Sequence, residues 1–407
     1  MFRISLFYIV LTFSMMIGVV FGHHKNEKYA FDNLYKYSIK KSENAVKFKS
    51  AIINNEISKN VEEQINKKKS KDGDYGMVSF ILFEDGVIKI DQFKKSKYRN
   101  GYMPSHSVGK SLVSLVTGYA MCGGYINHTV FERIDYPTVA GTLYENQKLI
   151  DLLHMTAGDD PYIGHAKYRK DNAWMGKGPN TNTIPIKKVM KKYFKGKEGI
   201  TPGVNYNYSA LTTNVIMNYV IYKTGDDWNK LLHKIFVEDA KVAKRVYFHK
   251  TLYAKKTGNR KSGEYGRYSF YADRYDYVRI ANMIMNHWNN DTCVGKYLKT
   301  MYETRIDKGK YEYSKFKGNF EATQSYGGQF HFDPIGLEDR PILMMDGAYG
   351  QQVVIDFDNN RIITAHSVER NYDYHSLIYL PLGYKKQPKK CGERDSMGRV
   401  IECPNPA

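Results

Sequence analysis

The chain has 407 residues, and its 61 lysines and arginines exceed its 42 aspartates and glutamates, which gives a formal net charge of +19. This length is enough for one large domain or two closely packed lobes. The basic residues are spread along the chain, with a local excess from Lys25 to Lys97, and no nucleic-acid-binding motif accompanies them. We therefore attribute the charge to a solvated surface and expect no nucleic-acid partner.

The N-terminus has the features of an export signal. Arg3 precedes an apolar run from Ile4 to Val20, and Phe21-Gly22 separates this run from polar residues. An early positive charge, an apolar core, and small or short side chains at positions −3 and −1 of the cleavage site are typical of a cleaved secretory signal. The predicted signal is residues 1–22. A retained anchor is the alternative, because the run approaches membrane-spanning length. No second stretch of this kind follows, so we expect no other membrane contact.

The first elements after the signal are a helix and a hairpin. Residues 23–75 form a basic segment in which a helix is predicted from Ala45 to Ile65. The apolar run 77–83, the turn Glu84-Asp85-Gly86 and the run 87–90 then predict two strands joined by a tight turn. A long apolar stretch through Ala120 predicts the next helix.

The middle of the chain has mostly helical patterns, and the C-terminal part returns to strands. Helices are predicted at Leu149–Thr156, Leu211–Lys223 and Tyr271–Trp288, and strands at 341–345, 351–357 and 361–365. This order predicts an α+β fold, with one antiparallel sheet built from both chain ends, flanking helices and an inserted, mostly helical lobe at about 122–285. The main domain is predicted to span residues 76–385, followed by a tail at 386–407.

Four cysteines are compatible with an oxidising compartment. Cys391 and Cys403 flank a short polar stretch and are the predicted local disulfide. Cys122 is interpreted as a buried thiol at the end of a helix. The sequence has no C-x-x-C, H-x-H-x-D or H-E-x-x-H pattern, so we expect neither a metal nor a cofactor.

The most informative motif is Ser107-Val108-Gly109-Lys110, at the start of the predicted apolar helix. Side chains three residues apart share one helix face, so the hydroxyl and the amine are expected to lie together. A serine becomes a good nucleophile when a neighbouring base accepts its proton, and the helix N-terminus favours the developing oxyanion. The motif therefore predicts a nucleophile beside a base.

A phosphate-binding loop is the rival interpretation of Gly109-Lys110-Ser111. The motif G-x-x-x-x-G-K-[ST] requires a glycine at position 104, and Pro104 stands there. The nucleotide-binding interpretation fails on this spacing.

Further motifs accompany the serine and the lysine in a fixed order. They are the stretch Leu152-Leu153-His154-Met155-Thr156-Ala157-Gly158, Pro202-Gly203 leading to Tyr208-Ser209, Asp276-Tyr277-Val278-Arg279, Tyr326-Gly327-Gly328-Gln329, and Gly347-Ala348-Tyr349-Gly350-Gln351. Together they resemble the serine β-lactamase and penicillin-binding superfamily, in its class C β-lactamase-related branch, which includes carboxylesterases and 6-aminohexanoate-dimer hydrolases. The resemblance covers residues 77–366.

The resemblance implies a role for one tyrosine. In this branch the tyrosine after the Pro-Gly element lies across the cleft and takes part in proton transfer with the serine and the lysine. By position this is Tyr208 rather than Tyr206. Whether Lys110 or Tyr208 is the general base is left open by the sequence.

The resemblance also implies an oxyanion hole and a substrate-binding strand. The backbone N–H groups of Ser107 and Ala348 would form the hole, and Asp346, Gly347 and Tyr349 would contact the substrate. Two literal Lys-Thr-Gly copies, 223–225 and 256–258, are interpreted as incidental, because the first closes a helix and the second lacks an apolar strand around it.

Two departures from the family pattern narrow the expected substrate. The family often has Tyr-x-Asn where this chain has Tyr208-Ser209-Ala210, so the side chain that helps to hold a lactam amide is missing. Asp346 replaces a basic or imidazole residue. Both changes favour esters or amides other than β-lactams.

The sequence thus predicts a secreted serine hydrolase, with a periplasmic location favoured, that cleaves an ester or amide through a Ser107 acyl-enzyme. Its expected partners are small-molecule or peptide substrates, with peptidoglycan fragments as a further candidate. The alternatives are a D,D-peptidase or D-aminopeptidase acting on cell-wall peptides, and a catalytically silent binding protein with the same fold.

Overall fold

The computed structural model of the chain describes residues 36–67, 76–126, 129–163, 184–251, 263–308, 322–368 and 372–384. The strands are β1 Lys36–Ile39, β2 Lys49–Ser50, β3 Met77–Glu84, β4 Val87–Phe93, β5 Tyr102–Pro104, β6 Val246–Lys250, β7 Gly266–Asp273, β8 Ile306–Asp307, β9 Thr323–Gly327, β10 Phe330–Pro334, β11 Ile342–Gly347, β12 Gln351–Asp356 and β13 Arg361–Ser367. The helices are α1 Glu56–Asn66, α2 Ser96–Arg99, α3 Val108–Cys122, α4 Leu149–Leu153, α5 Ile186–Val189, α6 Ala210–Thr224, α7 Trp228–His233, α8 Arg274–Asn289 and α9 Cys293–Glu303. Shorter helical turns lie at Pro137–Val139, Met190–Phe194, Gly225–Asp227, Lys234–Asp239, Ala348–Gly350 and His375–Tyr379.

The larger sheet joins the two ends of the described chain, as the sequence predicts. Its strand order is β2-β4-β3-β13-β12-β11-β10-β9-β8, so the N-terminal hairpin pairs directly with the last strand. Apart from the parallel β2·β4 pair, neighbouring strands are antiparallel. The predicted α+β fold class is confirmed.

The hairpin of β3 and β4 forms where the turn sequence places it. Asp85 and Gly86 both have positive φ, at 49° and 81°, which is the geometry that an Asp-Gly hairpin turn adopts. On β3, Val78, Ile81 and Phe83 enter the main core, and Phe80 and Leu82 enter a second cluster on the opposite face. Burial on both faces explains why this strand is a continuous apolar run.

The sequence did not predict the second sheet. This sheet has four antiparallel strands in the order β1-β6-β7-β5, and β6 and β7 lie inside the segment interpreted as mostly helical. The helix predicted to begin at Tyr271 begins at Arg274 instead. Asp273 caps it by accepting a hydrogen bond from the Tyr275 N–H at 2.9 Å, and the residues before Asp273 are strand.

The N-terminal helix is also shorter than predicted. It begins at Glu56 rather than near Ala45, because Asn55 and Ser58 form a reciprocal capping box. Within the part replaced by extended chain, Lys49–Ser50 pairs with β4. Val61 and Ile65 of this helix are buried in the second core cluster.

The cysteine interpretation is corrected at one position. Cys122 is bonded to Cys293, so it is not a thiol, and the disulfide joins the end of α3 to the start of α9. No local pattern in the sequence indicates this pairing, because the two residues are separated by 171 positions. Cys391 and Cys403 lie outside the described residues, as do the predicted signal 1–22 and Lys256-Thr257-Gly258.

Within the described ranges, no helix is long and apolar enough to cross a bilayer. The same part of the chain has no cluster of three or more histidines, cysteines or carboxylates arranged to hold a metal ion.

Candidate active site

Ser107 and Lys110 meet at the start of α3. The Lys110 Nζ donates a hydrogen bond of 2.8 Å to the Ser107 Oγ. Ser107 occupies the N-cap position, but its side chain caps no backbone N–H. The hydroxyl is therefore held by the lysine rather than by the helix.

Lys110 is only 2% exposed, and two phenol rings face its ammonium group. The Nζ lies 4.5 Å from the ring centre of Tyr208 and 4.2 Å from that of Tyr268. Burial acts to lower the pKa of Lys110, but the charge and hydrogen bonds of the two tyrosines outweigh it, and the pKa is raised. Among the described residues, no carboxylate forms an ion pair with Lys110, so the phenols are what keep it protonated.

Tyr208 is held by the loop before α6. Ser209 begins the helix, and its Oγ accepts hydrogen bonds from the N–H groups of Leu211 and Thr212. On the other side, the Asn207 Nδ2 donates to the buried Asp159 Oδ1 at 2.6 Å. The tyrosine is thus fixed from both chain neighbours.

Asp159 is the anchor of that loop. Besides Asn207, its carboxylate accepts hydrogen bonds from the Tyr144 hydroxyl at 2.7 Å and the Thr212 hydroxyl at 3.0 Å. Complete burial nevertheless raises the pKa of Asp159 to about 6, since these donors only partly replace water. Asp159 therefore positions Tyr208 without touching Lys110.

Tyr268 is the site residue that sequence reasoning missed. It lies on β7 where the pairing register with β6 shifts between Phe248 and Lys250, a local irregularity of the kind that re-aims side chains. The Tyr268 N–H donates to the Asn214 Oδ1, and the Asn218 side chain bonds both backbone groups of Gly266. Helix α6 therefore positions both tyrosines that face Lys110.

A signal for Tyr268 was present in the sequence. The stretch Arg267-Tyr268-Ser269-Phe270-Tyr271 is rich in aromatic residues, which favour strands, although it lies within the segment predicted to be mostly helical. With 35 tyrosines in the chain, no single one stands out without that strand.

The predicted oxyanion-hole segments lie next to each other. A Cβ atom on Gly347 would come within 2.5 Å of the Ser105 carbonyl oxygen, so glycine is needed for this close approach. The N–H groups of Val108, Gly109 and Lys110 donate to the carbonyls of residues 105–107, so the helix start does not offer them to a substrate. The predicted donors Ser107 and Ala348 stand on the two adjoining segments.

His106 and Tyr349 flank this contact, one on each segment. Both have positive φ, at 46° and 62°, which is uncommon for residues other than glycine. Their ring centres are 5.0 Å apart, and Tyr349 is 46% exposed. The pair therefore forms an aromatic rim beside the predicted oxyanion hole, consistent with the predicted substrate contact of Tyr349.

Asp346 does not lie open in the cleft. It is 6% exposed, and the Gln352 Nε2 donates a hydrogen bond to it from the neighbouring strand β12. The predicted contact of Asp346 with substrate has no support from this placement.

Two of the other motifs have structural roles. Gln329, in the turn between β9 and β10, accepts from Ser111 through its carbonyl and from Thr213 through its side chain, and it donates to the carbonyls of residues 152 and 153. It thereby links α3, α4 and α6.

Asp276 accepts hydrogen bonds from the N–H groups of residues 243 and 244 and from the guanidinium of Arg279. Gly225, with φ 53°, ends α6 as predicted for the first Lys-Thr-Gly copy.

The arrangement is compatible with an acyl-transfer site. It has a hydroxyl held by a buried cation, the Tyr208 ring facing that cation, and a close contact between the turn before α3 and the end of β11.

Comparison with known proteins supports the fold at low sequence identity. No family model matches the chain, and no curated protein sequence matches it. Among solved structures, one assigned as a 6-aminohexanoate-dimer hydrolase from Bacillus anthracis has a TM-score of 0.58 and 13% identity, covering 87% of this chain and 92% of its own.

Two further solved structures are similar. A family VIII carboxylesterase has a TM-score of 0.52 and 13% identity, with 84% of this chain and 100% of that chain covered. A class C β-lactamase in complex with cefoxitin has a TM-score of 0.52 and 11% identity, with 80% and 96% covered. The chain has the fold of the serine β-lactamases and penicillin-binding proteins.

Proposed function

We propose that the protein is a serine hydrolase that cleaves an ester or an amide through an acyl-enzyme on Ser107. The observation that carries this proposal is the 2.8 Å hydrogen bond between the Lys110 Nζ and the Ser107 Oγ, with Lys110 almost completely buried. A solvent-exposed lysine beside a serine would give no indication of catalysis. Here the ammonium group of Lys110 is buried, and the Ser107 hydroxyl is its hydrogen-bonding partner.

The raised pKa of Lys110 favours Tyr208 as the general base. An ammonium group cannot accept the serine proton, so the Tyr208 oxygen is the acceptor in this proposal. In the proposed reaction the Ser107 Oγ attacks the carbonyl carbon and its proton passes to the Tyr208 oxygen. Tyr208 then protonates the leaving alcohol or amine, and a water molecule hydrolyses the acyl-enzyme by the reverse path.

The surroundings favour substrates other than β-lactams. Ala210 offers no side-chain amide after Tyr208, and the Asp346 side chain bonds to Gln352. The rim of His106 and Tyr349 instead offers aromatic surface beside the reacting carbonyl. Similarity in fold to a carboxylesterase and to a 6-aminohexanoate-dimer hydrolase is in keeping with this choice.

A fluorophosphonate probe tests the nucleophile. We expect the purified wild-type protein to be labelled at Ser107, and the Ser107→Ala and Lys110→Ala variants to lose labelling. Ser96→Ala is the matched control, because Ser96 is an exposed serine at the start of α2. A folded wild-type protein that takes up no probe at Ser107 would falsify the enzyme proposal and favour a silent binding protein.

A substrate panel tests the reaction class. We would compare p-nitrophenyl esters, linear amide oligomers, D-Ala-D-Ala peptides and a chromogenic cephalosporin, with Ser107→Ala as the control. Turnover of the esters or amide oligomers supports the proposal. Preference for D-Ala-D-Ala peptides would favour a cell-wall peptidase, and dominant cephalosporin turnover would contradict the role given to Ala210.

We also propose that the protein is exported, with a periplasmic location favoured. The apolar run at 4–20 and the Cys122–Cys293 disulfide support this proposal, since disulfides persist in oxidising compartments. N-terminal sequencing of protein from fractionated cells should find a new terminus near His23. Full-length protein with reduced cysteines in the cytoplasmic fraction would overturn the proposal.

A further inference from the structure

A row of basic residues crosses three adjacent strands of the four-stranded sheet. Lys36 on β1 is the register partner of His249 on β6, and Arg267 lies on β7 beside it. We call Lys36, His249 and Arg267 the basic row. It belongs to none of the motifs that define the Ser107 site, although Arg267 precedes Tyr268 in the chain.

Two members of the row have a buried side-chain nitrogen without a partner. The Arg267 Nε and the His249 Nε2 are shielded from solvent, and neither forms a hydrogen bond. Arg267 also forms no ion pair with any residue in the described ranges. Native proteins rarely leave a buried guanidinium N–H without an acceptor.

The two cations of the row, Lys36 and Arg267, affect the imidazole between them. Burial first, and then the charges of Arg267 and Lys36, lower the pKa of His249 to about 3. Burial lowers the pKa of Arg267 too, and the groups that oppose this are the phenols of Tyr268 and Tyr271 rather than a carboxylate. A neutral imidazole can still donate one N–H, so the row combines two unused donors with positive charge.

Flat rings hold the imidazole in place. The ring of His249 is nearly parallel to those of Tyr247 and Tyr271, at 12° or less, with centres 5.7 and 4.8 Å away. The Lys36 Nζ lies 5.1 Å from the ring centre of Tyr247. These contacts fix the position of the donors, which is the preorganisation that a binding site needs.

We propose that the basic row is a binding site for an oxyanion, the carboxylate or phosphate group of a small ligand. The Arg267 Nε–H and the His249 Nε2–H donate to its oxygens, and Lys36 adds positive charge. An oxyanion supplies both missing acceptors and the missing counter-charge together, and charge-assisted hydrogen bonds to guanidinium are among the stronger ones in proteins. The site is independent of the proposed Ser107 chemistry.

Thermal unfolding with added anions tests this proposal at constant ionic strength. Inorganic phosphate, phenyl phosphate and benzoate are each titrated into the protein, with sodium chloride at the same ionic strength as the reference. The order of the melting-temperature increases that they cause separates phosphate recognition from carboxylate recognition. We expect at least one of them to raise the melting temperature of the wild-type protein, since a ligand that binds only the folded state stabilises it. The apparent affinity should fall at least tenfold in Arg267→Gln and in His249→Gln.

Arg99→Gln is the control, because this exposed arginine lies on α2, in a different part of the fold. It should keep the full response to anions. In anion-free buffer Arg267→Gln should melt no lower than the wild-type protein, because the substitution removes an uncompensated charge. Arg267→Lys keeps the charge but lacks the Nε–H, and should show an intermediate loss of affinity.

Three results would overturn the proposal. One is a wild-type protein that responds to the anions no more than to chloride. Another is an Arg267→Gln variant that keeps the wild-type response. The third is an Arg267→Gln variant that melts well below the wild-type protein without anions, which would give the guanidinium a structural role. If that variant does not fold, a His249 ¹⁵N resonance that phosphate leaves unmoved in the wild-type protein decides against the site.

Discussion

The carbonyl oxygen of Tyr268 lies 2.0 Å from the position that a Cβ atom on Gly109 would occupy. The Ser105 Oγ lies 2.8 Å from the same point. Strand β7 and the first turn of α3 therefore touch backbone to backbone at Gly109, between Ser107 and Lys110. This contact sets the distance between Lys110 and the Tyr268 ring.

Substitution of Gly109 by alanine should disable the site. The new Cβ would collide with backbone atoms that cannot rotate away, so α3 and β7 must separate. We expect a fall in kcat/KM of about 100-fold or more, as is typical when reacting groups move by 1 Å. The measurement is steady-state hydrolysis of the best ester from the substrate panel.

Gly118→Ala is the matched control in the same helix. Its Cβ would meet the Tyr297 ring at 2.6 Å, so this variant too should lose stability, but the clash is three turns away from Ser107. We expect Gly118→Ala to lower the melting temperature with little change in kcat. Wild-type turnover by Gly109→Ala would show that the contact with Tyr268 is not needed.

Replacement of Tyr268 by phenylalanine should change the pH dependence of hydrolysis. The Tyr268 phenol helps to raise the pKa of Lys110, so its removal should lower that pKa. If the ammonium form of Lys110 is required, the alkaline limb of kcat/KM then moves to lower pH. At neutral pH we expect a smaller loss than the roughly 10²- to 10⁴-fold loss expected for Tyr208→Phe as the base.

Tyr206→Phe is the control for a nearby tyrosine. Its ring packs 5.1 Å from that of Tyr326, and no ring contact with Lys110 is found within the described residues. This variant should keep the wild-type pH profile. If Tyr268→Phe also keeps it, Tyr268 is only a packing residue.

The sequence predicts the groups whose positions follow from local rules. Ser107 and Lys110 share a helix face because they are three residues apart, and the Asp85-Gly86 turn fixes the hairpin register before them. The order of the motifs predicts the fold, because the N-terminal hairpin and the C-terminal strands pair in one sheet.

Non-local contacts are what the sequence could not predict. Tyr268 reaches Lys110 only because β7 pairs with β5 and β6 and is held by Asn214 from a separate helix. The Cys122–Cys293 disulfide likewise depends on how α3 packs against α9. Neither relation leaves a periodic pattern in the chain, so local spacing rules do not detect it.

Asp159 should make stability depend on pH between about 4 and 6. Its pKa rises from 3.8 in the unfolded chain to about 6 in the fold, so the protonated form favours folding. This contribution is fully present below pH 4 and is lost as the pH rises through 6, by roughly 3 kcal/mol at 1.36 kcal/mol per pH unit.

Urea unfolding of the wild-type protein and of Asp159→Asn measures this effect. The free energy of unfolding of the wild-type protein should fall relative to that of the variant as the pH rises from 4 to 7, because the variant cannot ionise at this position. If the free energies of unfolding of the two proteins change in parallel with pH, Asp159 has the same pKa in the folded and unfolded chains.

The Cys122–Cys293 disulfide should stabilise the fold without setting the rate of catalysis. It closes a loop of 171 residues, for which the chain-entropy estimate of the stabilisation is at most about 5 kcal/mol. It lies at the far end of α3, a helix of 15 residues, roughly 22 Å from Ser107 at 1.5 Å per residue.

The double variant Cys122→Ser/Cys293→Ser should therefore unfold at lower urea concentration and keep its kcat at 25 °C. Wild-type protein in reductant should be no more stable than the double variant, because reductant also opens the predicted Cys391–Cys403 pair. Cys391→Ser/Cys403→Ser should lose less stability than the double variant, since that predicted pair closes a much shorter loop. An unchanged urea midpoint in both the double variant and the reduced protein would contradict the stabilising role.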